Sequence, residues 1–386
     1  MKVNRILPLI ILLLVTSSLF SQKYERYKKL NDITINSKYL GFEKKISLTV
    51  PLEWQNNLDQ KFPIILIFDS QNSRSHNYII NSIDYLTSNE QIPSSIIVSV
   101  ESEQRYRYKE TQYKISDENG LGFENEKFIF EELIKLLENE YRASKFRLFI
   151  GHSRYGYFTT SLFANKTNEL NAVISLDPFF TQSKLDLTKE FQTLNSIPLK
   201  YKKYYRFSIG NDYPEDYNNM VAVMNNSKFN ENLDLKGSYY EKAAHNSVPG
   251  LSISTQLYEI FKIWYDYQMQ YLSPNQNDLK IKKLLDNKVL ENYGTPIKFS
   301  LGTLNGKGWY FFNEKDYKKA IEAWEIMLES YPNFSEIYLY IIKAKIELNQ
   351  DYSESVKMFH KSLVNSEFYR FEQKEELKNE LNSFIN

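Results

Sequence analysis

The chain has 386 residues and a formal net charge of zero, because 48 lysines and arginines balance 48 aspartates and glutamates. This balance gives no basic field, so no nucleic-acid partner is expected. The chain contains no cysteine, which excludes disulfides, a cysteine nucleophile and cysteine metal sites. It is too long for one average domain, and its 42% of hydrophobic residues is enough for a sizeable core.

Residues 1–22 have the pattern of a secretory signal peptide. Lys2 and Arg5 precede an apolar run over residues 6–15, and small residues follow at 16–21. The apolar run is too short to span a bilayer. We therefore expect a secreted or periplasmic protein without a stable membrane span after cleavage. No cysteine follows the run, so we expect no lipoprotein anchor; an uncleaved N-terminal anchor is the alternative.

Strand-like and helix-like segments alternate over residues 23–272. Near-continuous apolar runs are typical of strands buried on both faces of a parallel sheet, and they occupy residues 62–68, 95–100, 146–150, 172–176 and 204–209. Shorter strand-like runs precede them, at residues 33–35 and 45–50. Helical patterns occur at residues 79–86, 124–141, 154–166 and 252–271. The alternation predicts an α/β fold whose central sheet is mostly parallel, with crossover helices.

The polar stretch 273–278 predicts a domain boundary, and residues 279–386 read as charged amphipathic helices. Two sets of residues match at an offset of 35 positions, namely Tyr317, Ala320 and Trp324 with Tyr352, Ser355 and Phe359. A period near 34 residues with a small residue between two aromatics is typical of tetratricopeptide helical units. We expect a small all-α helical-repeat domain, and the sequence leaves open whether it binds a protein partner, packs on the rim of the active site or mediates self-association. An unrelated helical hairpin is the alternative.

Residues 146–156 read as an apolar strand that breaks at a glycine and continues as a helix. Ser153 lies at the break, as in a nucleophile elbow, where a sharp turn exposes a serine hydroxyl. The elbow pattern G-x-S-x-G has a glycine where this chain has Tyr155, followed by Gly156. Close packing of helix and strand favours that glycine. The Tyr155 ring must find room, displace the contact or shape the acyl pocket.

His245 is the best candidate among four histidines for the general base of Ser153. It lies in a loop before the closing helix, where the histidine of an α/β-hydrolase falls, and that fold also has the chain order serine, acid, histidine. For the acid we favour Asp212, then Asp216, then Asp177; each follows the end of a predicted strand. The acid holds the imidazole tautomer and stabilises its cation.

An oxyanion hole needs two backbone N–H groups. One belongs to Arg154, the residue after the nucleophile. The other is expected in the loop after the first buried strand, at Ser70 or Gln71. We expect no metal and no cofactor, because the sequence has no P-loop, no dinucleotide glycine pattern and no cluster of metal ligands.

Several side chains are candidates for the substrate pocket. We expect His152 to point away from the nucleophile and to set the pocket shape. Phe179 caps the pocket or packs within an insertion. Arg105 and Arg107 recognise an anionic or polyphenolic substrate, or else stack on neighbouring tyrosines in a solvated loop.

Residues 37–270 resemble secreted esterases of the esterase D and enterochelin esterase group, in the α/β-hydrolase superfamily. The resemblance is carried by residues 62–69, residues 97–100 followed by Arg105 and Thr111, residues 130–133, Tyr141-Arg142, Gly151-His152-Ser153 and residues 245–249. It implies an α/β-hydrolase sandwich and ester hydrolysis by Ser153, His245 and an acid best matched by Asp212. An esterase domain followed by tetratricopeptide-like helices also looks like a known type of secreted bacterial hydrolase.

The sequence therefore predicts a serine hydrolase that cleaves a small-molecule carboxylic ester through an acyl-enzyme. Two other functions stay open. One is a catalytically weak hydrolase fold that binds ligands and uses its repeat helices as a docking module, for which Tyr155 is the main support. The other is peptide hydrolysis by the same triad.

Overall fold

A computed structural model describes Tyr24 and residues 26–385, so the expected signal peptide lies outside the described residues. The strands are β1 (Tyr27–Lys29), β2 (Ile33–Asn36), β3 (Glu43–Pro51), β4 (Phe62–Phe68), β5 (Ile96–Val100), β6 (Ala143–His152), β7 (Ala172–Leu176), β8 (Thr181–Gln182), β9 (Leu185–Asp186), β10 (Lys203–Ile209) and β11 (Leu233–Tyr239). The helices up to the predicted boundary are α1 (Glu53–Asn56), α2 (Ser73–Ser88), α3 (Gly122–Lys127), α4 (Ile134–Glu140), α5 (Arg154–Asn165), α6 (Leu187–Gln192), α7 (Pro214–Asn226) and α8 (Val248–Leu272). Those beyond it are α9 (Ile281–Tyr293), α10 (Leu301–Asn313), α11 (Tyr317–Ser330), α12 (Glu336–Glu347), α13 (Ser353–Asn365) and α14 (Phe371–Ile385).

One large sheet organises the N-terminal part of the chain. Its strand order is β1-β3-β5-β4-β6-β7-β10-β11, and β2 also pairs with β3. All neighbouring pairs from β5 to β11 are parallel, whereas β1, β2 and β3 add antiparallel pairs at one edge. Strands β4, β5 and β7 are buried along their whole length, as expected for strands covered on both faces. The predicted mostly parallel α/β sheet is confirmed.

Helices cover both faces of this sheet. Apolar residues of α2 and α8 pack on one face, against side chains such as Ile65 and Phe146. Apolar residues of α5 pack on the other face, against side chains such as Phe149 and Val173. The helix predicted at residues 124–141 is observed as α3, a π-helical turn over Phe128–Leu133, and α4.

The order of the strands changes direction at β4. The chain runs from β4 to β5 on one side and then to β6 on the other, and such a switch in direction opens a binding crevice at the carboxyl ends of the strands. Three non-glycine residues with positive φ lie at neighbouring strand ends: Asp69 at 62°, Ser153 at 58° and Asp177 at 47°. Unfavourable backbone conformations of this kind cluster at functional sites.

The C-terminal helices pack consecutively on one another. Ala320 and Ser355, the small residues of the predicted repeat, are buried, and so are the aromatic side chains of Trp324 and Phe359. A Cβ placed on Gly308 would lie 2.1 Å from Nε1 of Trp324, so α10 and α11 are closer than any side chain at this position allows. Among the described helices, none combines the length and apolar character that crossing a membrane requires.

A single apolar core joins the sheet to the C-terminal helices. It runs from Phe146 in β6 through Trp264 in α8 to Trp324 in α11. Polar contacts reinforce this junction: the Glu90 carboxylate accepts hydrogen bonds from Ser300 Oγ (2.8 Å) and from the backbone N–H of Gly302 (2.7 Å). The polar stretch 273–278 therefore connects two regions that pack together as one body.

Candidate active site

Ser153 forms the sharp turn between β6 and α5. Its φ of 58° and ψ of −119° are strained for a residue with a side chain. Its backbone N–H donates to the Leu176 carbonyl (2.8 Å), which ties the turn to the end of β7. A Cβ on Gly151 would lie 2.1 Å from the Tyr155 carbonyl oxygen, so this turn needs a glycine two residues before the serine. The geometry is that of a nucleophile elbow.

Asp177 is the carboxylate that meets the imidazole of His245. Its Oδ2 contacts Nδ1 of His245, and its Oδ1 accepts a hydrogen bond from the backbone N–H of Gly210 (2.6 Å). Asp177 is completely buried, and 27% of the His245 side chain is exposed. A buried carboxylate on Nδ1 fixes the tautomer that leaves Nε2 free to accept a proton.

Neither of the two acids ranked ahead of Asp177 on sequence makes the contact with the His245 ring, which corrects that ranking, although the Asp212 carboxylate lies within 4.8 Å of the Asp177–His245 pair. Asp212 is exposed, and its Oδ2 accepts from the backbone N–H of His245 (2.5 Å) rather than from the ring. Asp216 accepts from the backbone N–H of Phe180 (2.6 Å). The physical reason is strand order: Asp177 follows β7, the direct neighbour of β6, whereas Asp212 follows β10, one strand farther away.

His152 links the nucleophile turn to the His245 loop. Its Nε2 lies 3.3 Å from the His245 carbonyl oxygen, and the two rings lie 4.7 Å apart. Burial, together with the charge of neighbouring His245, lowers the pKa of His152 to about 4. His152 is therefore neutral at physiological pH, and it supports the loop that carries His245.

Of the alternatives that the sequence left open for Tyr155, the structure shows that the ring finds room in the protein core and does not line a pocket. Its side chain is completely buried and its ring stacks on that of Phe68, with 5.1 Å between centroids. The close contact between helix and strand falls instead to Gly156, where a Cβ would lie 3.1 Å from the Pro178 Cβ. The missing glycine therefore leaves the turn intact.

A buried polar cluster holds the Tyr155 hydroxyl. This hydroxyl contacts Ser102 Oγ and donates to the Glu110 carboxylate, and Lys44 Nζ lies 2.9 Å from both oxygens of Glu110. Burial and the Glu110 charge raise the pKa of Tyr155 well above its ordinary value. This cluster could not be predicted from the sequence, because a lysine and a glutamate within polar segments look like solvated surface.

The loop after β4 was expected to supply one oxyanion donor, at Ser70 or at Gln71. The backbone N–H of Ser70 donates to the Val100 carbonyl (3.1 Å), so this group is engaged with β5 and the expectation for Ser70 is corrected. Gln71 is the remaining candidate. Its side-chain oxygen accepts from the backbone N–H of Ser102 (2.9 Å), and its Nε2 donates to Asp69. These bonds fix the loop beside the nucleophile turn.

Aromatic side chains lie near His245. Phe179 is half-buried, stacks on Tyr157 (5.1 Å) and lies 6.3 Å from the ring of Tyr213, which in turn lies 5.9 Å from His245. Arg105 is exposed, pairs with Glu103 (2.8 Å) and sits over a tyrosine ring, which agrees with the solvated-loop interpretation.

The chain matches no protein-family model and no curated protein. Solved structures are similar to it. An uncharacterised protein from Capnocytophaga ochracea DSM 7271 is 13% identical with a TM-score of 0.60, over 92% of this chain and 100% of that chain. An IroE-like serine hydrolase from Shewanella oneidensis is 16% identical with a TM-score of 0.60, over 80% of this chain and 99% of that chain.

A third similar structure is the siderophore hydrolase EstB from Aspergillus nidulans, 15% identical with a TM-score of 0.52, over 63% of this chain and 98% of that chain. The chain has the α/β-hydrolase fold. At these identities the similarity establishes the fold, and function has to be argued from the site. The C. ochracea match covers so much of the chain that it extends into the C-terminal helices.

Proposed function

We propose that the protein is a serine hydrolase that cleaves carboxylic esters. The observation that carries the proposal is the contact of His245 Nδ1 with buried Asp177, which follows β7, next to the strained turn of Ser153, which follows the neighbouring strand β6. A serine in an elbow beside a histidine that a buried carboxylate orients is the arrangement that activates a hydroxyl as a nucleophile.

The residues take the following roles. Ser153 Oγ attacks the ester carbonyl, and His245 accepts its proton and then gives it to the leaving alcohol. Asp177 holds the imidazole and stabilises its cation. The backbone N–H groups of Arg154 and Gln71 stabilise the oxyanion of the tetrahedral intermediate. Water then cleaves the acyl-enzyme through the same histidine.

The solved neighbours support this class of chemistry, since one is an IroE-like serine hydrolase and another is a siderophore hydrolase. We extend the proposal to the cell compartment and the C-terminal helices. Export through residues 1–22 would place the enzyme in the periplasm or the medium, and tetratricopeptide-like helices would dock a protein partner or a second copy. Fractionation of cells expressing the full chain, and light scattering of the purified protein, test these two extensions.

A fluorophosphonate probe with peptide mass mapping tests the catalytic proposal. We expect covalent labelling at Ser153, together with hydrolysis of 4-nitrophenyl butyrate, and loss of both in Ser153→Ala and His245→Ala. Ser247→Ala is the matched control, because this exposed serine lies two residues after His245 and should keep both activities. A folded protein that neither reacts with the probe nor hydrolyses the ester would contradict the enzyme and favour a binding role. Faster cleavage of peptides than of esters would favour a peptidase.

A further inference from the structure

Arg154 is a cation that no carboxylate neutralises within the described part of the chain. Its guanidinium lies 4.1 Å from the centre of the Tyr108 ring and 5.8 Å from that of Phe179. One of its nitrogens, Nη1, is buried without a hydrogen-bond partner among the described residues. An unpaired buried donor on a charged group is costly, and such donors are nearly always satisfied. A ligand with acceptor oxygens would satisfy this donor.

The two arginines that the sequence suggested for substrate recognition are already paired. Arg107 makes a two-pronged contact with the Asp69 carboxylate at 2.6–2.9 Å, and this contact raises the pKa of Arg107. Arg105 is exposed and pairs with Glu103. By contrast, burial lowers the pKa of Arg154, and the charge of Arg107 acts in the same direction. Of these three arginines, Arg154 is the one that is partly removed from water and has no paired carboxylate among the described residues.

Aromatic rings connect the Arg154 side chain to the proposed catalytic residues. Arg154 directly follows Ser153, and a chain of neighbouring rings leads from its guanidinium through Phe179 and Tyr213 to the imidazole of His245. The surroundings of His245 thus combine aromatic faces with the charge of Arg154, which no carboxylate of the described residues pairs with. Aromatic faces pack against apolar or aryl parts of a substrate. The positive charge of Arg154 attracts a negatively charged group on the same substrate.

We propose that Arg154 is a specificity-determining residue that binds a carboxylate group of the substrate, so that the protein prefers esters bearing a negative charge near the reacting carbonyl. This inference rests on the proposed ester hydrolysis. A guanidinium presents a planar fork that matches both oxygens of a carboxylate. Its attraction is strengthened where protein groups exclude water. The Arg154 side chain binds the substrate carboxylate, whereas the Arg154 backbone N–H stabilises the oxyanion.

Two matched pairs of esters test the proposal. Mono-4-nitrophenyl glutarate and its methyl ester differ by one charge on the acyl side, and 4-acetoxybenzoate and its methyl ester differ by one charge on the leaving group. We expect kcat/KM to favour the anionic member of at least one pair by roughly ten- to hundredfold, as a charge-assisted hydrogen bond allows. Arg154→Gln should abolish the preference, and Arg154→Lys should keep part of it, because a lysine has the charge without the fork.

The matched control is Arg370→Gln, which removes the same charge from an exposed position in the C-terminal region and should leave the preference unchanged. Equal kcat/KM within both pairs, or a preference that survives in Arg154→Gln, would overturn the inference while leaving the ester hydrolase intact. If no ester is hydrolysed, the proposed function fails, and calorimetric binding to Ser153→Ala decides the inference separately. Tighter binding of the anionic ester that is lost in Ser153→Ala with Arg154→Gln supports it, and equal binding of both esters rejects it.

Discussion

The carboxylate of Asp177 contacts the imidazole of His245, whereas Asp212 holds the backbone of the same histidine. Two acids thus act on one residue, from different strand ends and with different exposure. The buried acid controls the ring, and the exposed acid controls where the loop lies. The two contacts predict different consequences when each acid is made neutral.

Replacing Asp177 with asparagine should lower kcat for ester hydrolysis by about 10³- to 10⁴-fold, because the imidazole loses the group that sets its tautomer. Asp212→Asn should lower it by less than about tenfold, since an amide oxygen still accepts the backbone N–H of His245. Steady-state kinetics with an activated ester measure both variants, and circular dichroism checks that each is folded. Equal losses in the two variants would contradict the assignment of Asp177.

Replacing Tyr155 with the glycine of the elbow pattern should lower the stability of the fold. Tyr155→Gly empties a fully buried site under Phe68 and should lower the free energy of unfolding by about 4 kcal/mol, as for other large-to-small core substitutions. Tyr155→Phe should lower it by about 1–3 kcal/mol, because Glu110 and Ser102 lose a hydrogen-bond partner. Urea unfolding measures both changes.

Tyr157→Phe is the control for this pair. The Tyr157 hydroxyl is buried without a partner among the described residues, so its removal should leave the free energy of unfolding unchanged or raise it. If Tyr155→Phe and Tyr157→Phe behave alike, the polar cluster around Glu110 does not stabilise the fold in the way the contacts indicate.

The buried imidazole of His152 should make the fold sensitive to mild acid. Its pKa is about 4 in the folded protein and about 6.5 in an unfolded chain. The unfolded state therefore binds more protons between these values, so the stabilisation is complete above pH 6.5 and is lost as the pH falls towards 4. Between pH 7.5 and 5 the contribution of this group falls by about 2 kcal/mol.

Denaturant unfolding at the two pH values measures this loss. His152→Asn should reduce the difference in stability between pH 7.5 and 5 by the same amount, whatever its effect at a single pH. His360→Asn removes an exposed histidine and should leave the difference as it is in the unmodified protein. An unchanged difference in His152→Asn would show that His152 titrates normally in the folded state.

Two glycines of α10 should respond very differently to alanine. A Cβ on Gly308 would lie 2.1 Å from the Trp324 indole, whereas a Cβ on Gly306 meets only Leu272 Cδ1, at 3.3 Å. Gly308→Ala should therefore cost about 1–3 kcal/mol of stability through overpacking. Gly306→Ala should be close to neutral, because the helix propensity gained, about 1 kcal/mol, offsets the tight contact. Thermal unfolding of the two variants gives the comparison, and similar melting temperatures would contradict it.

The central sheet and the elbow could be predicted from the sequence, because each is indicated by a short contiguous pattern of residues. An apolar run such as residues 62–68 identifies a strand buried on both faces, and the glycine before Ser153 identifies the turn. The carboxylate that contacts the His245 ring could not be predicted in this way. Asp177 and Asp212 both follow apolar strands, and only the strand order decides that β7 lies beside β6 and β10 lies beyond it.

The environment of Tyr155 could not be predicted from the sequence for a related reason. The elbow pattern describes the turn itself, but the space that the ring fills is bounded by Phe68, at the end of β4, and by Glu110, far away in sequence. Glu110 and Thr111 lie in the polar segment that follows Arg105 and Arg107, and both are completely buried. A tyrosine that looks like a defect in the local pattern is part of the core.

The core shared by the sheet and the C-terminal helices has a consequence for how the chain responds to a protease. The connection at residues 273–278 is largely exposed and open to cleavage, but a nick there would not separate the two pieces. Trp264 and Trp324 belong to the same apolar cluster, and Glu90 binds the start of α10 from the other side of the cut. The nicked protein should migrate as one particle. Neither fragment is expected to stay folded once the other has been removed.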